Sequence, residues 1–146
     1  MDRSVFQQLS GIRIEEAKVL LDASNPSGAY YLAGYSVEFA LKSCILNHVQ
    51  NSDGVGIIFK DKKYVNDCYT HDLVKLLRLA DLEARFDSIS LTQDSHDREL
   101  SANWLVVKDW NEHCRYRQHE IEEAEKLITA IDQKPNGVLL WLKQYW

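Results

Sequence analysis

The chain has 146 residues, 45% hydrophobic and 27% charged, which suits one globular domain with a real core and calls for no second one. Lys and Arg total 17 against 22 Asp and Glu, a formal charge of -5, so a broad basic face gripping DNA is excluded and any nucleic-acid contact must be local. No apolar run approaches the roughly eighteen residues of a membrane span, and the opening "MDRSVFQQLSGIRIEEAK" lacks the basic-then-apolar layout of a signal peptide. Three cysteines at irregular spacing do not make a disulfide framework and suit a reducing compartment, so the expectation is a cytoplasmic protein with no membrane association.

From Arg3 to about Ala23 the apolar residues Val5, Phe6, Leu9, Ile12, Ala17 and Leu20 recur near the helical period, which predicts a first helix with that stripe inward. Arg13 and Glu16 fall at its edge, three apart, and are expected to pair. "NPSG" at Asn25 to Gly28 supplies a cap and a first-turn proline for a second helix, "GAYYLAGYSVEFALKSCILNH". This second helix is apolar almost all round. Such a helix must be central in its domain or must cover another chain, and the expectation drawn is a homodimer with Tyr31, Tyr35, Glu38 and Lys42 at its interface. Glu38 and Lys42 stand four apart: on the surface they would contribute only a few tenths of a kcal/mol, and buried at an interface they would fix its register.

Asn51 to Thr70 breaks the pattern with Gly54, Gly56 and "KDKK" and reads as a long loop or a short hairpin, the loop being favoured as a candidate lid or partner contact. "THDLVKLLRLADLEARF" resumes a helix capped by Thr70, with Leu73, Leu76, Leu77, Ala80 and Leu82 inward. A fourth helix is expected from about Thr92 to Arg115, with Leu100, Trp104, Val107, Trp110 and Cys114 on one face. A fifth begins near His119, with Ile121, Ala124, Leu127, Ile128 and Ile131 inward, until "KPNG" at Lys134 to Gly137 stops it before a short final helix, "VLLWLKQYW". The fold class expected is all-α, an up-and-down bundle of about five helices plus that short one, with one long connection.

The segments "GAYYLAGYSVEFALKSCIL", "THDLVKLL" and "RY" ahead of "EIEEAEKLI", in that order and spacing, resemble the HEPN domain (higher eukaryotes and prokaryotes nucleotide-binding) across nearly the whole chain, residues 1–146. The resemblance implies a dimerising helical bundle. It also implies one of two roles: a metal-independent endoribonuclease of toxin, antiphage or RNA-processing systems, or a noncatalytic module that binds RNA, a nucleotide or a protein partner such as a nucleotidyltransferase or defence-system protein. The family's catalytic motif is an Arg, usually followed by a polar residue, with a His after four to six intervening positions. Arg can hold a phosphate and His can exchange a proton near neutral pH.

Here Arg115 is followed by Tyr116, and His119 comes after only three intervening residues; the permitted positions hold Glu120, Ile121 and Glu122, and for Arg117 they hold Glu122, Glu123 and Ala124. Three readings of "WNEHCRYRQHE" follow. In the first, His113 and Arg115 complement the dipole at the end of the fourth helix while Tyr116 packs. In the second, Arg115 and Arg117 grip an anion with Tyr116 or Trp110 as a stacking face and His113 nearby. In the third, Arg115 and His119 form a variant ribonuclease site. The departure from the motif favours binding over catalysis. Cys44 with His48 and Cys68 with His71 are zinc-competent, yet Cys44 falls among core residues and His71 at a helix start, so neither a metal nor a cofactor is expected.

Overall fold

A computed structural model of the chain describes residues 2–52 and 66–146, and these form an all-α bundle. Helix α1 spans Arg3–Asp22, with the Asp2 carboxylate accepting from the Ser4 amide at 3.2 Å. Ser24, in the left-handed region at φ 60°, reverses the chain, and Pro26 then starts α2, Pro26–Ser52, whose first turn closes by the Ala29 amide donating to the Asn25 carbonyl at 3.1 Å. The two helices run antiparallel: Leu20 meets Gly28 near the turn, the Ser10 hydroxyl donates to the Ser36 carbonyl at 2.7 Å midway, and Arg3 donates to the Asn47 side chain at the far end.

Helix α3, Leu73–Leu79, is capped by Asp72, whose carboxylate accepts from the Lys75 amide at 3.0 Å. The remaining elements are α4, Glu83–Ser90; α5, Ser95–Val107; a 3-10 turn, Glu112–Tyr116; α6, Ile121–Asp132; and α7, Val138–Leu142. Helix α2 is the axis of the bundle, packed by α1, α3, α6, α7 and the 3-10 turn. Its Ala33, Val37, Ala40, Leu41, Cys44 and Ile45 are buried, so its apolar circumference is largely covered from within the chain. Full burial of side chains such as Leu41 and Ile45 stabilises by about 1.5–3 kcal/mol each. Centrality, the first of the two options for such a helix, therefore explains its composition. Among the described residues no helix is long and apolar enough to cross a membrane.

Several boundaries differ from the sequence expectation, each for a local reason. Helix α2 runs on to Ser52, and residues 53–65 of the expected loop lie outside the described residues, so the lid or contact role given to it is not addressed. The Thr70 hydroxyl accepts from the Asp72 amide at 3.1 Å, and Asp72, not Thr70, caps α3. The expected single third helix breaks into two because Asp81 turns left-handed at φ 58°, although Leu73, Leu76, Leu77, Ala80 and Leu82 are all buried as expected. The fourth helix starts after the Asp94 cap and stops at Val107. Beyond it Asn111 accepts from the His113 amide at 3.0 Å and starts the 3-10 turn, the kind of side-chain bond with which Asn competes against helix. Trp110 and Cys114 are buried nonetheless, as are Leu100, Trp104 and Val107. Ile121, expected inward, is the exposed first residue of α6.

The stripe on α1 is also revised. Arg13 and Glu16 pair as expected, but Val5 and Ile12 are exposed while Ser10 and Ile14 are buried. A serine whose hydroxyl bonds the facing carbonyl is a good interior residue at a close helix contact, and hydrophobicity alone does not register it.

Trp110 is 2% exposed and lies on α2 at Gly34, where an added Cβ would come within 2.0–2.2 Å of the indole ring. Gly34→Ala should therefore displace Trp110 and cost about 3 kcal/mol. A urea midpoint followed by far-UV circular dichroism that stays at the wild-type value would refute this contact.

Candidate binding face beside the central helix

Tyr31, Tyr35, Glu38 and Lys42 follow one another at spacings of four, three and four, which puts them in one row along α2. Two segments distant in sequence flank the row: His71, just ahead of the α3 cap, and the 3-10 turn bearing Arg115 and Tyr116. The Tyr31 hydroxyl donates to the Tyr35 hydroxyl at 3.3 Å. The Tyr35 ring meets Tyr31, Trp110 and His71 edge-on at centroid distances of 5.0, 5.1 and 5.9 Å. Burial pushes the Tyr35 phenol well above its ordinary value, so Tyr35 stays protonated at neutral pH.

Glu38 is 1% exposed, which makes its pair with Lys42 something other than the surface contact considered from sequence. One carboxylate oxygen accepts from the Lys42 ammonium at 2.7 Å, and the other lies 2.9 Å from His71 Nδ1. An ionised carboxylate only accepts, so Nδ1 carries the proton and Nε2 is turned away from Glu38. This three-way contact ties the start of α3 to the axis of the bundle. A cavity of about 560 Å³ adjoins it, walled by Phe6, Tyr35, Phe39 and Tyr69, with Lys42 and His71 on its rim.

On the other flank, the Arg115 guanidinium lies over the Tyr116 ring, 4.8 Å from its centroid. The phenols of Tyr116 and then Tyr31 beside it push its pKa up further, leaving it a fixed cation. Tyr116 is 75% exposed, and the exposed His113 ring lies near-parallel to it with centroids 6.5 Å apart. Arg117 is exposed as well. Trp110, proposed from sequence as a stacking face, is instead an internal prop beneath this turn.

His119 is placed differently from Arg115. Its ring stacks on Tyr30 at 3.9 Å and its side chain is 1% exposed. Nδ1 lies 3.1 Å from the Glu123 carboxylate, Nε2 lies 3.3 Å from the Cys114 carbonyl, and the backbone amide donates to the Ser27 hydroxyl at 2.9 Å. Both ring nitrogens are engaged. As placed, His119 joins α6 to α2 and presents no nitrogen to a ligand beside Arg115. The Glu123 carboxyl is held below its usual range, first by the Glu120 amide at the start of α6 and then by His119.

Among the described residues, no group of three or more His, Cys, Asp or Glu side chains is arranged to hold a metal ion. Cys44 faces the Leu142 carbonyl at 3.5 Å in the core, where burial pushes its thiol up to about 12. No family model matches this chain, and no curated protein or solved structure matches it.

The row Tyr31 to Lys42, the expected dimer interface, runs between Arg115 and His71 of the same chain, with Glu38 wholly inside. Sequence reasoning missed His71 as the partner of Glu38. The available signal was an acidic residue with only one cation on an otherwise apolar helix, which demands a second neutralising or donating group.

Glu38→Gln should cost about 3 kcal/mol in urea denaturation, since it leaves Lys42 in partly buried surroundings without its counter-charge; an unchanged midpoint would contradict the buried triad. Because the Cys44 thiol is raised, its thiolate is absent at pH 8. A disulfide reagent should then modify half-buried Cys68 first and reach Cys44 only after unfolding, while prompt native-state labelling of Cys44 would contradict its placement.

Proposed function

We propose that this chain is a HEPN-like, all-α binding module whose ligand is RNA or a nucleotide, held at the corner formed by Arg115, Tyr116, Arg117 and His113. We place it in the cytoplasm as a homodimer, in a toxin–antitoxin or antiphage setting where a nucleotidyltransferase or defence-system protein is its partner. The observation that supports ligand binding most directly is Tyr116. This residue is 75% exposed, yet its ring is flanked by a guanidinium over one face and an imidazole nearby, an arrangement that intramolecular packing does not require. Arg115 and Arg117 supply local positive charge on a chain whose net charge is -5, which fits a short contact to one or two phosphates.

Binding is favoured over cleavage because the His119 imidazole is spent on Tyr30, Glu123 and the Cys114 carbonyl. The endoribonuclease reading through Arg115 and His119 would need that ring to leave its stack.

The test is fluorescence anisotropy with a short labelled single-stranded RNA in EDTA. Tyr116→Ala should weaken binding by about 1–3 kcal/mol, the usual worth of one base stacked on an aromatic ring. Arg115→Ala should lower the slope of log K against log salt by about 0.7 for a lost phosphate contact. The labelled strand should remain intact throughout. Wild-type affinity in both variants would overturn the assignment of this corner, and strand cleavage abolished by Arg115→Ala and His119→Ala would restore the nuclease reading.

A further inference from the structure

His113 and Tyr116 stand three residues apart in the 3-10 turn, Glu112–Tyr116. Residues at that spacing eclipse in a 3-10 helix and three residues rise about 6 Å, so the two side chains lie one above the other at about that separation. Their rings are 29° from parallel with centroids 6.5 Å apart. The chain holds a second pairing of the same ring types, His119 on Tyr30, 12° from parallel with centroids 3.9 Å apart. That stack is closed. The pair on the turn is held too wide for its faces to meet.

Bases stacked along a nucleic-acid strand follow one another at about 3.4 Å, so a base with a ring on each face needs about 6.8 Å between those rings. The spacing of His113 and Tyr116 is close to that width. We propose that the two rings form a clamp that takes one unpaired nucleobase between them, with Arg115 holding the phosphate of the same nucleotide. This rests on the reading above that the corner binds RNA or a nucleotide. It narrows the ligand to a single nucleotide unit, either a free mononucleotide or one base of a strand that has left its stack.

Three observations support the clamp. Both walls are open to water, the His113 side chain being 74% exposed and Tyr116 about as much, so a base enters without displacing packed protein. The backbone between the walls is fixed. Asn111 accepts from the His113 amide at 3.0 Å, the Arg117 amide donates to the Cys114 carbonyl at 3.2 Å, and Cys114 itself is buried under the turn. The Arg115 guanidinium lies 4.8 Å from the Tyr116 centroid, and a nucleotide whose base is enclosed carries its phosphate only one sugar away. A base inside a duplex already has a neighbour on each face and must leave the stack before it can enter.

The probe is 2-aminopurine riboside 5′-monophosphate, whose fluorescence falls when its ring is stacked, used alone and as the central residue of a short single-stranded RNA. Wild-type protein should quench it. His113→Ala and Tyr116→Ala should each weaken binding about fivefold or more, the loss of one stacked face. His113→Phe, which restores a flat wall without the imidazole, should recover most of what His113→Ala loses. Binding of the RNA about tenfold or more tighter than the monophosphate assigns the clamp to strands, and equal binding assigns it to free nucleotides. Unchanged affinity in His113→Ala beside weakened binding in Tyr116→Ala leaves a one-faced platform; it overturns the clamp while the binding corner stands. Failure of His113→Phe to recover binding also overturns the clamp, since the imidazole and not its flat face is then required. A wild-type protein that binds neither probe overturns both.

Discussion

The contact on which the candidate site depends is that of Trp110 with α2 at Gly34. A 3-10 turn of five residues has too few hydrogen bonds to hold its own position, so the direction in which Arg115 and Tyr116 point is set by what lies beneath them. Trp110 supplies the anchor on one side. His119, stacked on Tyr30, supplies it on the other, and both anchors rest on the same central helix. Two aromatic contacts thus convert a short irregular connection between α5 and α6 into a fixed corner. The histidine that the sequence offered as a proton carrier is the one that the fold uses to pin this corner.

The same helix explains the other flank. Burying Glu38 is costly unless both carboxylate oxygens are satisfied, and Lys42 and His71 satisfy one each. His71 is thereby drawn to the axis and the start of α3 is fixed beside the tyrosine row. Arg115, Tyr31, Tyr35, Glu38 and Lys42 form a continuous polar and aromatic track across one side of a helix that is otherwise enclosed. The track ends at the exposed Tyr116.

Much of this fold was legible in the sequence, and the parts that were not share a cause. The helical class, the hairpin turn at Asn25 and Pro26 and the inward faces of α3 and α6 follow from local periodicity and capping chemistry, which need no knowledge of neighbours. Ser10 and Ile12 exchanged roles because hydrophobicity ranks isoleucine as interior and serine as surface, whereas a hydroxyl that bonds the Ser36 carbonyl permits a closer approach than a branched side chain. The break at Asp81 and the early end of α5 at Val107 turn on Asp81 and Asn111, residue types that tolerate helix and turn alike, so periodicity alone did not mark them. The pairing of Glu38 with His71 spans 33 residues and the seating of Trp110 on Gly34 spans 76, and no local pattern encodes either partner. The short spacing from Arg115 to His119 was readable, and it pointed away from a shared site; what it could not convey was the occupation of both imidazole nitrogens.

The most direct test of the fixed corner is a two-dimensional amide NMR titration of the wild-type protein with a short single-stranded RNA. The account predicts that the largest shifts fall on His113, Arg115, Tyr116 and Arg117, with Gly34 and His119 nearly still because the supports under the turn do not move. Shifts centred on His119 and Tyr30, or on a face that excludes Tyr116, would contradict it.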